Sequence, residues 1–292
     1  MVDYENRQPP EGINLGGVHP LRSFATLLVA AAVLVTGLVV VAQFAGAFAA
    51  RLVPFATERR VVQGLDIAFG DAPADDPMRM YLNALAVRLA PGLDLPHGMI
   101  LSVHYQRSDT VNAFATLGGN LLFYRGLLER LPSENALATV MAHEMAHVLH
   151  RDPVAGLGGG VASALVLSAI TGSVGTGAAG DALSRTGLLT GVQFTRRMEA
   201  RADRAAAVAV AGLYGHLNGA GTLFETLAET RSASHDRPGT PRWLERFVAT
   251  HPLDEDRVET IAARARELRV PVTGPLTPLP DGFEDWLQAA PD

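Results

Sequence analysis

His143-Glu144-Met145-Ala146-His147 is the densest grouping of chemically capable side chains in the chain. On an α-helix, residues four apart lie one above the other, so the two imidazoles can converge on a single ion. Glu144 follows the first imidazole and is set to take a proton from water, whose pKa a nearby divalent ion lowers towards about 7. That is hydrolytic chemistry. Two histidines do not close a site, however, and a five-residue pattern with three fixed positions also arises by chance. His150 does not complete it, because on a helix it stands about 10 Å along the axis from His143; it reads as a surface or flanking residue. A better source is the segment Arg196-Arg197-Met198-Glu199-Ala200-Arg201-Ala202-Asp203, in which Glu199 and Asp203 share a helical face. Alone, that pair reads as a solvated charged face compensated by Arg196, Arg197, Arg201 and Arg204. Downstream of two metal-competent histidines, it reads as one carboxylate ligand plus a second carboxylate that accepts the outward N–H of an imidazole.

The elements that must position these groups can be read from the punctuation of the chain. Ser133, after Pro132 and before Glu134, is a helix N-cap followed by an acidic first turn. The predicted helix runs to about Arg151, where Pro153 stops it. Upstream, Met78, Leu82, Leu85 and Leu89 recur at helical spacing over residues 75–89, and Pro91 and Pro96 close that helix. Residues 99–105 and 110–117 are β-prone, and Gly118-Gly119-Asn120 turns the chain into Leu121-Leu122-Phe123-Tyr124. The expectation is a small antiparallel meander. Residues 186–269 read as helices around a polar loop at 232–241, and no internal repeat is visible.

The chain has 292 residues, enough for one large domain, with 48% hydrophobic and only 18% charged residues. Much of the excess lies in Phe24 to Ala50, an uncharged run between Arg22 and Arg51. At about 1.5 Å per residue it can cross a hydrocarbon layer of about 30 Å. Ala45, Ala47 and Ala49 resemble a signal-peptide cleavage site, but the run is about twice an ordinary signal core of roughly 7–15 residues. One uncleaved span is therefore expected, and its removal would free the rest of the chain from membranes. Arg7 and Arg22 precede the span and Arg51, Arg59 and Arg60 follow it, which leaves its orientation undetermined. A second low-charge stretch, Val154 to Gly180, contains eight glycines. It is expected to form a loose hydrophobic hairpin or loop near the site rather than a second span. A net charge of −6 removes any electrostatic footprint for nucleic acid. Zero cysteines exclude disulfides and thiolate metal sites, so His, Asp and Glu must hold any ion.

The two motifs have further company. Asn112-Ala113-Phe114-Ala115-Thr116-Leu117-Gly118-Gly119-Asn120 and Gly126-Leu127-Leu128 precede them, and Thr250-His251-Pro252 follows, with Arg257 five residues after the proline. In this order, over about Asp75 to Arg269, they resemble the M48 family of membrane-associated zinc metallopeptidases, whose pattern is HExxH followed by ExxxD. The resemblance implies an α+β, mainly α, zincin-like domain with a small antiparallel sheet at residues 57–270. A tail at 1–22 and one transmembrane helix at 23–50 would precede it, and a Pro-rich tail at 271–292 would follow. It implies that His143, His147 and Glu199 bind one Zn2+, that Glu144 is the general base, and that Asp203 orients His143. His251 and Arg257 would lie beside the metal and stabilise an oxyanion or tune access. Asn112, Ala113 and Phe114 would belong to an edge strand to which the substrate backbone adds. The chain departs from the family at Asp152, often His, and at Thr116-Leu117, often Leu-Pro; neither departure is expected to touch a ligand.

The implied reaction is hydrolysis of internal peptide bonds in membrane or envelope proteins at the bilayer. A membrane-bound scaffold or holdase with a vestigial metal site is the alternative. A processing peptidase of the prenyl-protein type is disfavoured, because that class resembles a multi-span barrel. His19, His97, His104, His216 and His235 are read as non-ligands, and Trp243 and Trp286 as packing anchors.

Overall fold

In the computed structural model, which describes residues 20–64, 69–171, 194–222, 251 and 257–289, the apolar run lies in a single helix, α1 (Pro20–Arg51). None of its residues is buried by the rest of the chain, and it is long and apolar enough to cross a membrane. It does not stand alone. Helix α6 (Asp152–Thr171) runs beside it, as a continuous 20-residue helix where a loose hairpin or loop was expected. Residues 172–180 of that expectation lie outside the described residues.

The glycines explain the difference. Each weakens a helix by about 1 kcal/mol relative to alanine, yet here they let two helix backbones meet. A Cβ on Gly158 would stand 2.7 Å from the Gly46 carbonyl oxygen and overlap the Ala50 side chain, and one on Gly46 would overlap the Gly158 carbonyl. Small residues at such a crossing exchange propensity for close contact. Leu165, Leu167 and Ile170 remain exposed on α6. A protein lacking residues 1–52 is therefore expected to keep floating with lipid vesicles, contrary to the reading with one apolar element. Its complete release into the aqueous fraction would show that α6 makes no lipid contact.

Beyond the apolar helices the chain forms an α+β domain. Helix α2 (Phe55–Gly64) precedes α3 (Pro77–Leu89), which Asp76 caps by accepting from the Arg79 N–H at 3.0 Å. Met78, Leu82, Leu85 and Leu89 are fully buried, as their spacing predicts. Full burial of each such side chain contributes roughly 1.5–3 kcal/mol.

The sheet contains β1 (Ser102–Gln106), β2 (Ala113–Ala115) and β3 (Asn120–Tyr124) in the order β1-β3-β2. The β2–β3 pair is antiparallel, with Phe114 opposite Leu122, but β1 pairs parallel to β3, with His104 opposite Leu122. The sheet is thus mixed and not the fully antiparallel meander expected. A meander presumes that each strand pairs with the next, whereas residues 107–112 carry the chain past the place that β3 later fills. Gly118 and Gly119, with φ of 72° and 79°, make the return turn. A Cβ on Gly119 would overlap the Ile100 carbonyl oxygen, so this turn requires glycine.

After α4 (Arg125–Leu128) comes α5 (Glu134–Leu149), capped by Ser133, whose hydroxyl accepts from the Ala136 N–H at 3.3 Å. Nearly all of α5 is buried, on every face, between the sheet, α3 and α7 (Arg196–Tyr214). Its first turn is fixed by Glu134, which accepts from Tyr81 at 3.0 Å and Tyr214 at 2.8 Å and pairs with Arg88 at 2.9 Å. Burial opposes the charge of Glu134, but these partners outweigh it and lower its pKa. Helices α8 (Arg257–Leu268) and α9 (Phe283–Gln288) complete the described chain; Trp286 on α9 lies against Tyr81, as a packing anchor should.

Arg151 makes the corner between α5 and α6, at a φ of 59°. Its guanidinium pairs with buried Glu58 at 2.9 Å and donates to the Val53 carbonyl at 2.7 Å. Glu58 in turn accepts from the Gly118 N–H at 2.6 Å. The corner, the glycine turn and the segment after α1 are therefore tied together.

Candidate metal centre

His143 and His147 project from one face of α5, with their Nε2 atoms 3.0 Å apart. Glu199, in the first turn of α7, brings Oε2 to 3.4 Å from the His143 Nε2 and Oε1 to 3.2 Å from the His147 Nε2. All three residues are buried. Donors held about 2.0–2.1 Å from a tetrahedral zinc ion lie about 3.3 Å from one another. The three observed separations bracket that value.

The other face of each imidazole fixes its tautomer. Nδ1 of His143 lies 2.8 Å from the Asp203 Oδ1, and Nδ1 of His147 lies 3.0 Å from the Asp152 Oδ2. An ionised carboxylate only accepts, so each Nδ1 carries the hydrogen and both Nε2 lone pairs face the same space. Lone pairs 3.0 Å apart repel each other and are reconciled by a cation between them. The same acidic neighbours also favour a proton on these rings. Burial would push His143 down, but Glu199 and Asp203 outweigh it and raise its pKa to about 10. Burial also opposes the charge on His147, and hydrogen bonds to Asp152 and Glu199 reverse that. Burial would push Glu199 up, but His143, His147 and His251 hold it far below the ordinary carboxylate range. Glu199, Asp203 and Asp152 thus surround the two rings with groups that favour positive charge.

His251 adds a fourth donor: one ligand atom from each of His143, His147, Glu199 and His251 can be chosen so that all lie within 4.8 Å of one another. Its Nδ1 is 3.2 Å from the Glu199 Oε1, and its Nε2 is 3.6 Å from the Glu144 Oε1. Glu144 is 2% exposed, and its Oε2 has no hydrogen-bond partner among the described residues. A buried carboxylate oxygen left open beside a metal-competent cluster is suited to taking a proton.

The other candidates are placed less directly. Arg257 is the first residue of α8, but its side chain lies outside the described residues, as do His19, His235 and Trp243. Asn112 immediately precedes β2, and Ala113 and Phe114 belong to it; β2 is an edge of the sheet packed on α5, and all three residues are buried. His104 bonds Asn120 at 2.9 Å, and neither it, His97, His150 nor His216 joins the cluster.

Two contacts beside the site were not foreseen from the sequence. Phe194 stacks on His147 with ring centroids 3.9 Å apart and planes 17° from parallel. Asp152, expected to touch no ligand, is fully buried against the His147 ring. The positive φ of Arg151 ends α5 and swings the next carboxylate back under the helix it has left, a geometry that helical spacing does not predict.

Residues 79–265 match the model of peptidase family M48. The chain is 30% identical over 215 residues to the beta-barrel assembly-enhancing protease of Escherichia coli, covering 68% of this chain and 42% of that protein. It is 26% identical over 205 residues to the mitochondrial metalloendopeptidase OMA1 of Schizosaccharomyces pombe, covering 69% of this chain and 58% of that one. A shorter match, 34% identical over 100 residues, covers a third of this chain and a third of the protease HtpX of Legionella pneumophila. The chain thus spans less than half the length of the bacterial assembly-enhancing protease it matches.

Proposed function

Because the chain belongs to peptidase family M48, we propose that it is a membrane-anchored, zinc-dependent endopeptidase. The observation that carries this reading is the convergence of His143, His147 and Glu199 at tetrahedral spacing beside the open carboxylate oxygen of Glu144. Two imidazoles and a carboxylate, all buried, suit zinc, and His143, His147 and Glu199 would hold it. When bound, the ion supplies Lewis acidity towards the scissile carbonyl and the attacking water.

The protein does the rest. Glu144 takes the proton from the attacking water and returns it to the leaving amine nitrogen. Asp203 holds His143 in the tautomer that presents Nε2. His251, already beside Glu144 and Glu199, and Arg257 at the start of α8 stabilise charge developing on the carbonyl oxygen. The edge strand containing Ala113 and Phe114, led in by Asn112, receives the substrate backbone, so affinity comes from main-chain pairing with limited demand on sequence.

In this proposal α1 is the span and α6 lies along it, which keeps the site at the end of the apolar layer. Membrane or envelope proteins are the substrates that suit such a location. The bacterial and mitochondrial relatives, one named for beta-barrel assembly, support a role in the quality control of such proteins.

Full-length protein purified in detergent is expected to carry one zinc ion per chain and to cleave an unfolded reporter. Stripping the metal with 1,10-phenanthroline should stop cleavage, and added zinc should restore it. Protein that holds no metal and leaves the reporter intact would instead favour the scaffold or holdase.

A further inference from the structure

Asp152 is the first residue of α6 and is completely buried. A buried carboxylate is costly unless it is paired, and the partners of Asp152 come from three helices. Oδ2 accepts from the His147 Nδ1 at 3.0 Å. Oδ1 accepts from the Arg201 Nη2 at 2.5 Å and lies 3.5 Å from the Arg51 Nη2. Arg201 sits on α7 between Glu199 and Asp203, and Arg51 is the last residue of α1.

We infer that Asp152 is a positioning residue for the metal ligand His147, fixing its tautomer and ring rotation and tying that ligand to α7 and to the root of the apolar helix pair. The inference rests on the metal reading above. Each ligand histidine then has its own carboxylate: Asp203 for His143, from within α7, and Asp152 for His147, from the corner beyond α5. The two cannot substitute for each other, because they reach the rings from different elements. Arg201 draws the second oxygen of Asp152 towards α7, which holds the carboxylate against rotating away from the imidazole. Phe194 stacks on the same ring, leaving the Asp152 hydrogen bond to set the rotation within that plane.

The test uses detergent-purified full-length protein and the variants Asp152→Ala and Asp152→Asn. Zinc affinity is read by competition with a chromophoric chelator, and ligand geometry by the visible spectrum of the cobalt(II)-loaded protein. Loss of a carboxylate that orients a ligand histidine typically weakens metal binding about 10-fold to 100-fold. Asp152→Ala is expected to fall in that range with an altered cobalt spectrum. Asp152→Asn keeps the shape and one acceptor oxygen for the Nδ1–H, so it should fold even if the alanine variant does not, and should lose less affinity. Wild-type zinc affinity and an unchanged cobalt spectrum in Asp152→Ala, or in Asp152→Asn alongside a larger loss in Asp203→Asn, would overturn the inference and leave the metal reading standing. A wild-type protein that binds neither ion would overturn both.

Discussion

Glu144→Gln is expected to retain a full equivalent of zinc and to cleave an unfolded reporter roughly 10²- to 10⁴-fold more slowly, the range over which a positioned acid–base group acts. That corresponds to about 3–5 kcal/mol of transition-state stabilisation. The amide has the volume of the carboxylate but cannot accept the proton of the attacking water. Little else should change, because the Glu144 Oε2 has no hydrogen-bond partner among the described residues and Glu144 is not among the converging donors. Thermal stability should therefore be unaltered or slightly higher, since the substitution removes a charge from an environment that leaves the group only 2% exposed. The paired measurements are zinc content and turnover. A variant with more than half of the wild-type rate would place the base elsewhere, and His251, whose Nε2 lies 3.6 Å from the Glu144 carboxylate, would be the first group to examine. Loss of zinc together with activity would mean that Glu144 is itself a ligand.

The chemistry was legible in the sequence wherever it depended on helical spacing. His143 and His147 share a face because they are four apart, and the cap at Ser133 starts their helix where the serine and proline indicate. The burial of Met78, Leu82, Leu85 and Leu89 follows from the same periodicity. What depended on tertiary geometry was not legible. The parallel pairing of β1 with β3 is set by where residues 107–112 lead, and no local pattern encodes that. The glycines of α6 read as helix-weakening until the partner helix that needs them is in place. Asp152 reaches His147 only through a left-handed arginine, a conformation that no side chain at position 151 advertises. Phe194 could equally have been a core residue. Spacing thus found His143, His147, Glu199 and Asp203, whereas the contacts of Asp152 and Phe194 with the His147 ring were set by tertiary geometry.

The two carboxylates of α7 should separate on the same logic. Glu199→Gln is expected to lose most of its zinc affinity, because the substitution replaces the anionic donor that lies between both imidazoles, at 3.4 Å and 3.2 Å, with a neutral amide. Its effect extends to the metal-free protein. Burial opposes the charge of His143 and Glu199 is the strongest of the influences that raise its pKa to about 10, so without Glu199 that pKa should fall. Asp203→Asn should behave differently. Asp203 meets His143 at its outward Nδ1, at 2.8 Å, and an asparagine oxygen can still accept that N–H. A loss of at most about 10-fold to 100-fold in affinity is expected, so zinc supplied in excess should restore occupancy and a measurable rate, whereas Glu199→Gln should stay inactive under the same conditions. Were these residues only a solvated acidic face, both substitutions would leave metal content and rate unchanged, and a buried Glu199 already argues against that. Zinc titration of the two purified variants decides the matter. Wild-type affinity in Glu199→Gln would remove it from the metal centre, and a larger loss in Asp203→Asn than in Glu199→Gln would exchange their roles.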